Sequence, residues 1–159
     1  MSELQSADLI LRMAIDVEEA GVMFYRKLAR LSHIPAVKEV FLSLAEDEVV
    51  HKRDLARIGQ SLSMQNQNFS SSINFVEILN RMLDGLKKSM TGSEPMEINS
   101  LDLSKALHIG IENERMAVRI YTEIAGLCPS AVQEVFKKIL KEEEGHLEKL
   151  LKIKESRLA

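Results

Sequence analysis

The chain has one cysteine, Cys128, no tryptophan, three prolines and seven glycines among 159 residues. A lone cysteine excludes an internal disulfide framework and paired-thiol redox motifs. A cytoplasmic location is therefore expected, with a structural role for Cys128. No uninterrupted apolar run approaches the roughly 20 residues that span a bilayer. The N-terminal residues show no basic region followed by a hydrophobic segment, so neither membrane insertion nor secretion is expected. The net charge of −3 gives no general attraction to nucleic acid. The small basic clusters, Arg26, Lys27 and Arg30 and then Lys137 and Lys138, are interleaved with acids and read as solvated helix faces.

What is abundant is Leu, Glu, Lys, Met and Ile, a composition that favours helices. With 45% hydrophobic residues over 159 positions, the chain can bury a substantial core as a single domain, 1–159. The first helix is expected to start after an N-cap at Ser2 or Ser6 and to run to about Leu31, with Leu11, Ala14, Glu18, Gly21, Tyr25 and Leu28 on one face. A short turn at Ser32–Pro35 leads into a second helix reaching about Gln60. Polar residues from Ser61 to Ser72 mark a loop, followed by a shorter amphipathic helix from Ile73 to Met90 and a second loop from Thr91 to Ser100. Two more long helices follow, joined at Cys128-Pro129-Ser130, with Ser130 and Gln133 at capping-box spacing. The plan is hairpin 1 (6–60), crossover (61–100) and hairpin 2 (101–156). The shorter helix has more apolar surface than a crossover requires. It is expected to cover the bundle, the alternative being that it pairs two chains as a homodimer. Met13, Met23 and Met116 are read as core or neighbouring packing.

The fourth long helix carries polar residues within its apolar stripe. Val132, Phe136, Ile139, Leu150 and Ile153 follow alternating four- and three-residue steps, and the two positions left over in that series are Glu143 and His146. The second helix keeps the same steps in Val37, Phe41, Leu44, Glu48, His51, Leu55 and Ile58. A shift of 96 residues places Ile15, Glu18, Val22, Tyr25 and Ala29 on Ile111, Glu114, Val118, Tyr121 and Ala125. A shift of 95 superposes the seams of the second and fourth helices. Each half is thus the same helical hairpin, and both tyrosines stand two helical turns after a seam glutamate.

A carboxylate and an imidazole on a buried stripe are costly unless compensated. A Glu three residues before a His is a weak signal alone, because an ordinary helical ion pair has the same spacing. Polar seam residues can also set register in a helix bundle. Repetition of the whole polar set in both halves favours metal. Two hairpins related by an approximate twofold axis would bring Glu18, Glu48, His51, Glu114, Glu143 and His146 together. Their four carboxylates balance two divalent cations, and carboxylates with one imidazole per ion suit iron or manganese. His33 and His108 occupy inequivalent positions and are read as non-ligands.

The run Ile15-Asp16-Val17-Glu18-Glu19 with Phe24-Tyr25, followed by Leu44-Ala45-Glu46-Asp47-Glu48-Val49-Val50-His51, resembles the rubrerythrin-like branch of the ferritin-like superfamily. The resemblance covers both halves and omits the crossover. It implies an all-α fold, a ferritin-like antiparallel four-helix bundle with a carboxylate-bridged di-iron centre. On that resemblance Glu18 and Glu114 are terminal ligands, Glu48 and Glu143 bridge, His51 and His146 supply imidazole, and Tyr25 and Tyr121 hold glutamates of the opposite hairpin. The cofactor would be two Fe ions per chain, with Mn open. Rubrerythrins proper add a rubredoxin-like domain with two Cys-x-x-Cys pairs, which one cysteine cannot supply, so the electron donor would be external, such as a rubredoxin-like protein. They also place a further glutamate near the third-helix ligand, where this chain has Ile111 and Ala117. The expected activity is a di-iron peroxidase reducing hydrogen peroxide or O2. The alternatives are a ferroxidase for iron storage or detoxification, and a non-catalytic helical interaction module.

Overall fold

The computed structural model describes residues 5–64, 70–71, 74–90, 100–128 and 130–158. Its helices are α1 (Ala7–Leu31), α2 (Pro35–Met64), α3 (Phe75–Met90), α4 (Ser100–Leu127) and α5 (Ser130–Leu158). The fold is all-α apart from one two-residue strand pair. α1 packs along α2 and α4 along α5, and the two hairpins meet through α2 and α5.

Local chemistry explains the joints. After α1 the Ser32 amide donates to the Leu28 carbonyl at 2.9 Å, and the Ile34 amide reaches Ser32 Oγ at 3.4 Å. Pro35 then opens α2, where its missing N–H has no helical partner to lose. At the second joint Gln133 Nε2 donates to the Ala125 carbonyl at 2.8 Å. This ties the start of α5 to the end of α4, in place of the expected capping box with Ser130. α3 begins at Phe75 and not at Ile73, because Asn74 caps it. Asn74 Oδ1 accepts from the Glu77 amide and its Nδ2 donates to Glu77 Oε2, both at 3.0 Å.

Two further boundaries differ from expectation. α2 runs through Ser61 to Met64 because Leu62, one turn beyond buried Ile58, is itself only 3% exposed and extends the apolar stripe. A two-residue strand β1 (Gln5–Ser6) pairs antiparallel with β2 (Ser70–Ser71), in the register Gln5 to Ser71 and Ser6 to Ser70. Both segments are short and polar and give no alternating signal. Ser2, Pro129 and the loop positions 65–69, 72–73 and 91–99 lie outside the described residues.

The core follows the two seams. Phe41, Leu44, Leu55, Phe136, Ile139 and Leu150 are all fully buried, and Leu11, Ala14 and Leu28 of α1 close on them. α3 packs on both α1 and α4, burying Leu79, Met82, Leu83 and Leu86 against its own chain. Its apolar face therefore covers the bundle. Met13 and Met116 pack on the core, whereas Met23 is 55% exposed and contributes no core packing, since its position on α1 turns outward. Among the described residues no helix is long and apolar enough to cross a membrane.

Candidate metal centre

Every seam position expected to carry chemistry is buried. Glu18, Glu48, His51, Glu114, Glu143 and His146 are each no more than 5% exposed. Helical spacing puts Glu48 and His51 on one face of α2, and Glu143 and His146 on one face of α5. The packing of α2 on α5 brings those faces together, with the imidazole rings at a centroid distance of 5.4 Å. Glu18 enters from α1 and Glu114 from α4. Two overlapping clusters result: Glu18, Glu48, His51 and Glu143, and Glu48, Glu114, Glu143 and His146. Glu48 and Glu143 stand in both. His33 and His108 are exposed and belong to neither.

Within each cluster the donor atoms lie within 4.8 Å of one another. Metal–ligand bonds of about 2.0–2.2 Å place opposite ligands roughly 4.0–4.4 Å apart, so the spacing suits one ion per cluster. Hydrogen-bond geometry points the same way. Glu143 Oε1 lies 2.9 Å from His51 Nδ1, and His146 Nδ1 lies 3.2 Å from Glu143 Oε2. Nevertheless Glu143 Oε1 and His146 Nδ1 have no hydrogen-bond partner among the described residues. The first lies beside His51 in one cluster, and the second belongs to the other.

Each imidazole also has a partner on its outer face. His51 Nε2 lies 3.0 Å from Glu142 Oε2, and His146 Nε2 lies 3.1 Å from Asp47 Oδ2. In each imidazole Nε2 therefore meets an acid on the outer side, while Nδ1 faces the cluster. Lys149 reaches Asp47 at 3.4 Å and Lys138 reaches Glu142 at 3.9 Å. Asp47 and Glu142 were missed as site residues because they stand one position off the seam. The signal was present nonetheless: a shift of 95 superposes them, so the repeat keeps an acid before each shared glutamate.

The tyrosines cross between hairpins. Tyr25 Oη donates to Glu114 Oε1, and Tyr121 Oη donates to Glu18 Oε1. Beside Tyr25, α4 carries Gly110, where a Cβ would crowd Leu150 Cδ1 at 3.2 Å and sit in ordinary contact with Tyr25 Oη at 3.6 Å. Burial and the adjacent carboxylates push both phenols well above their ordinary value, so they remain donors. Burial and the Glu48 charge raise Glu18 to about 8, and burial with the Glu143 charge raises Glu114. Burial also works against ionisation of Glu48 and Glu143. For Glu48, the close approach of Glu18, His146 and His51 holds the carboxyl below its ordinary value; for Glu143, the two neighbouring histidines do so. Burial disfavours charged imidazole, yet the surrounding carboxylates raise both histidines far above their ordinary range.

Beside the carboxylates is a cavity of about 20 Å³, enough for about one water molecule. Gly21, Ala117 and Asn113 line it, together with Met82 and Leu86 of α3. Cys128 is buried near the second joint, and burial pushes its thiol up to about 12.

A sequence model of the Rubrerythrin family matches residues 10–154. The chain belongs to the rubrerythrin family. Its fold is similar to that of a crystal structure from Thermotoga maritima, described as a ferritin-like diiron-carboxylate protein, with a TM-score of 0.74 and 26% identity over 98% of each chain. A comparison with curated protein sequences finds no match. The two positions at which the resemblance leads one to look for a further glutamate are apolar. Ile111 is 2% exposed within the core and Ala117 borders the cavity, so neither offers a carboxylate.

Proposed function

We propose that the chain is a di-iron oxidoreductase that reduces hydrogen peroxide or O2 with electrons from an external donor. The observation that carries this reading is the pair of buried clusters that share Glu48 and Glu143. In this reading Glu18 and His51 complete one position, Glu114 and His146 complete the other, and the shared glutamates hold both ions. Four carboxylates balance two divalent cations, and the oxygen-rich set with one imidazole each suits iron, with manganese as the competitor. The similar protein from Thermotoga maritima, described as a diiron-carboxylate protein, supports iron.

Bound iron supplies one-electron redox chemistry at each position, so a pair can exchange two electrons with one oxidant molecule. The rest is done by the chain. Tyr25 and Tyr121 fix the two unshared glutamates from across the bundle, and Glu142 and Asp47 meet His51 and His146 at their outer nitrogens. α3 shields the carboxylates from bulk water and leaves space for a small oxidant. The donor in this reading is a separate electron carrier, a rubredoxin-like protein being the type the family resemblance implies.

An anaerobic Fe(II) titration of metal-free protein tests this. Two tightly bound equivalents are expected, one per cluster, followed by oxidation with peroxide or air and re-reduction by an added donor. Release of ferric iron after oxidation would make the protein a ferroxidase. Absence of saturable binding would overturn the metal reading and leave a helical interaction module.

A further inference from the structure

The cavity beside the carboxylates is lined by repeat-equivalent pairs: Glu18 and Glu114, Gly21 and Ala117, Glu48 and Glu143, and Val17 and Asn113. The first three pairs match in chemistry. The fourth sets an isopropyl group in one half against a carboxamide in the other. Asn113 is 7% exposed, and its Oδ1 has no hydrogen-bond partner among the described residues. A buried amide oxygen left unpaired is destabilising, and the valine at the equivalent position shows that the helix itself does not need an amide there. The cover supplies no partner either, since Met82 and Leu86 present only apolar atoms and a thioether. What remains is a small molecule in the cavity that can donate a hydrogen bond.

We propose that Asn113 is a positioning residue for the oxidant: its Oδ1 accepts a hydrogen bond from the O–H of a hydrogen peroxide molecule held between the carboxylates and α3. The proposal rests on the reading of the clusters as a metal pair, and it deepens that reading by selecting among oxidants. Hydrogen peroxide carries two O–H donors, whereas O2 carries none, so the acceptor favours peroxide. It also makes the two halves of the site inequivalent, because the oxidant is held from the α4 side.

The test compares wild type, Asn113→Val, which installs the residue of the other half, and the swap Val17→Asn/Asn113→Val. Zinc, which is redox-inert, is titrated first by calorimetry, with two equivalents of similar affinity expected for all three proteins. No binding by wild type would sink the metal reading itself, whereas binding lost only in Asn113→Val would overturn the positioning role. Crystals of the zinc-loaded proteins soaked in hydrogen peroxide should show an oxygen atom about 2.7–3.0 Å from the Asn113 amide in wild type and none there in Asn113→Val. In the iron-loaded proteins Asn113→Val should raise KM for hydrogen peroxide roughly 3–10-fold, with kcat changed less than twofold, and leave the reaction with O2 unchanged. The swap should recover part of the loss. An unchanged KM for peroxide would overturn the proposal and make any oxygen atom seen at Asn113 a structural water. Equal slowing with both oxidants would also overturn it.

Discussion

Hairpin α1–α2 buries Glu18, Glu48 and His51, and hairpin α4–α5 buries Glu114, Glu143 and His146 in equivalent places. Outside that set the halves part company. In the first, Lys52 on α2 pairs with Glu19 on α1. In the second the equivalent positions are Arg115 and Leu147, and Arg115 pairs with Glu112 on its own helix at 2.6 Å. Exposed ion pairs contribute little, about 0–1 kcal/mol, so either arrangement serves. A buried acid with no compensation costs several times more, and there the halves agree. The positions that stay alike are those where a change would leave a charge in the core without a partner. Asp47 and Glu142 are the instructive intermediate. Both are partly exposed, yet an acid is kept in each half, and each meets the Nε2 of a histidine from the opposite one.

The largest expected effect comes from removing a group the halves share. Glu48→Ala or Glu143→Ala should abolish two-metal binding, since each residue stands in both clusters. Glu18→Ala and Glu114→Ala should each weaken one position and spare the other. Anaerobic Fe(II) titration of the four variants distinguishes these patterns, and equal two-site binding in all of them would refute the shared roles.

Next is pH, which acts on both halves alike. Glu18 moves from an ordinary value of 4.5 to about 8 in the folded, metal-free protein. The stability carried by its extra proton is complete below pH 4.5 and is lost as pH rises towards 8. Glu114 shifts in the same direction, and the raised histidines lose stability in the same sense above 6.5. Glu48 and Glu143, shifted downward, oppose this only below 4.5. The Tm of metal-free protein should therefore fall between pH 5 and pH 8. The gain in Tm on adding metal should grow over the same interval, because metal takes ionised carboxylates and neutral imidazoles. Thermal denaturation at both pH values, with and without metal, checks both trends.

A smaller effect separates the halves. Asp47→Asn should weaken the position that holds His146, and Glu142→Gln the one that holds His51, each by about 10–100-fold in metal affinity. Competition against a metal chelator would measure this, and uniform weakening of both positions by either variant would contradict the crossed pairing. The smallest change is expected for Tyr25→Phe and Tyr121→Phe, each removing one hydrogen bond of about 0.5–1.5 kcal/mol. Turnover should slow more than metal binding weakens. Paired titration and steady-state rates would show it.

Much of this architecture is legible in the residues themselves. Phe41, Glu48, His51 and Leu55 announce one helix face, and their counterparts 95 positions later announce the same face again. Helical periodicity decides which residues share a side, and the cost of burying charge identifies the polar ones as special. Local signals were less reliable at the margins. Ser61 looked like a loop but continues α2, because burial of Leu62 outweighs local polarity. The strand pair at Gln5–Ser6 depends on a contact with residues 70–71, far along the chain, and has no local signature.

The sequence by itself determined the helices, the repeat, the buried seam and the residues that meet there, because each follows from periodicity and solvation along one helix. Only the tertiary structure decided that His51 is held by Glu142 and His146 by Asp47, that α3 covers the site between α1 and α4, and that Asn113 faces a cavity where its counterpart is Val17. Those relations depend on how one helix is rotated and placed against another. That placement is the joint outcome of many packing contacts, and no spacing within a single helix encodes it.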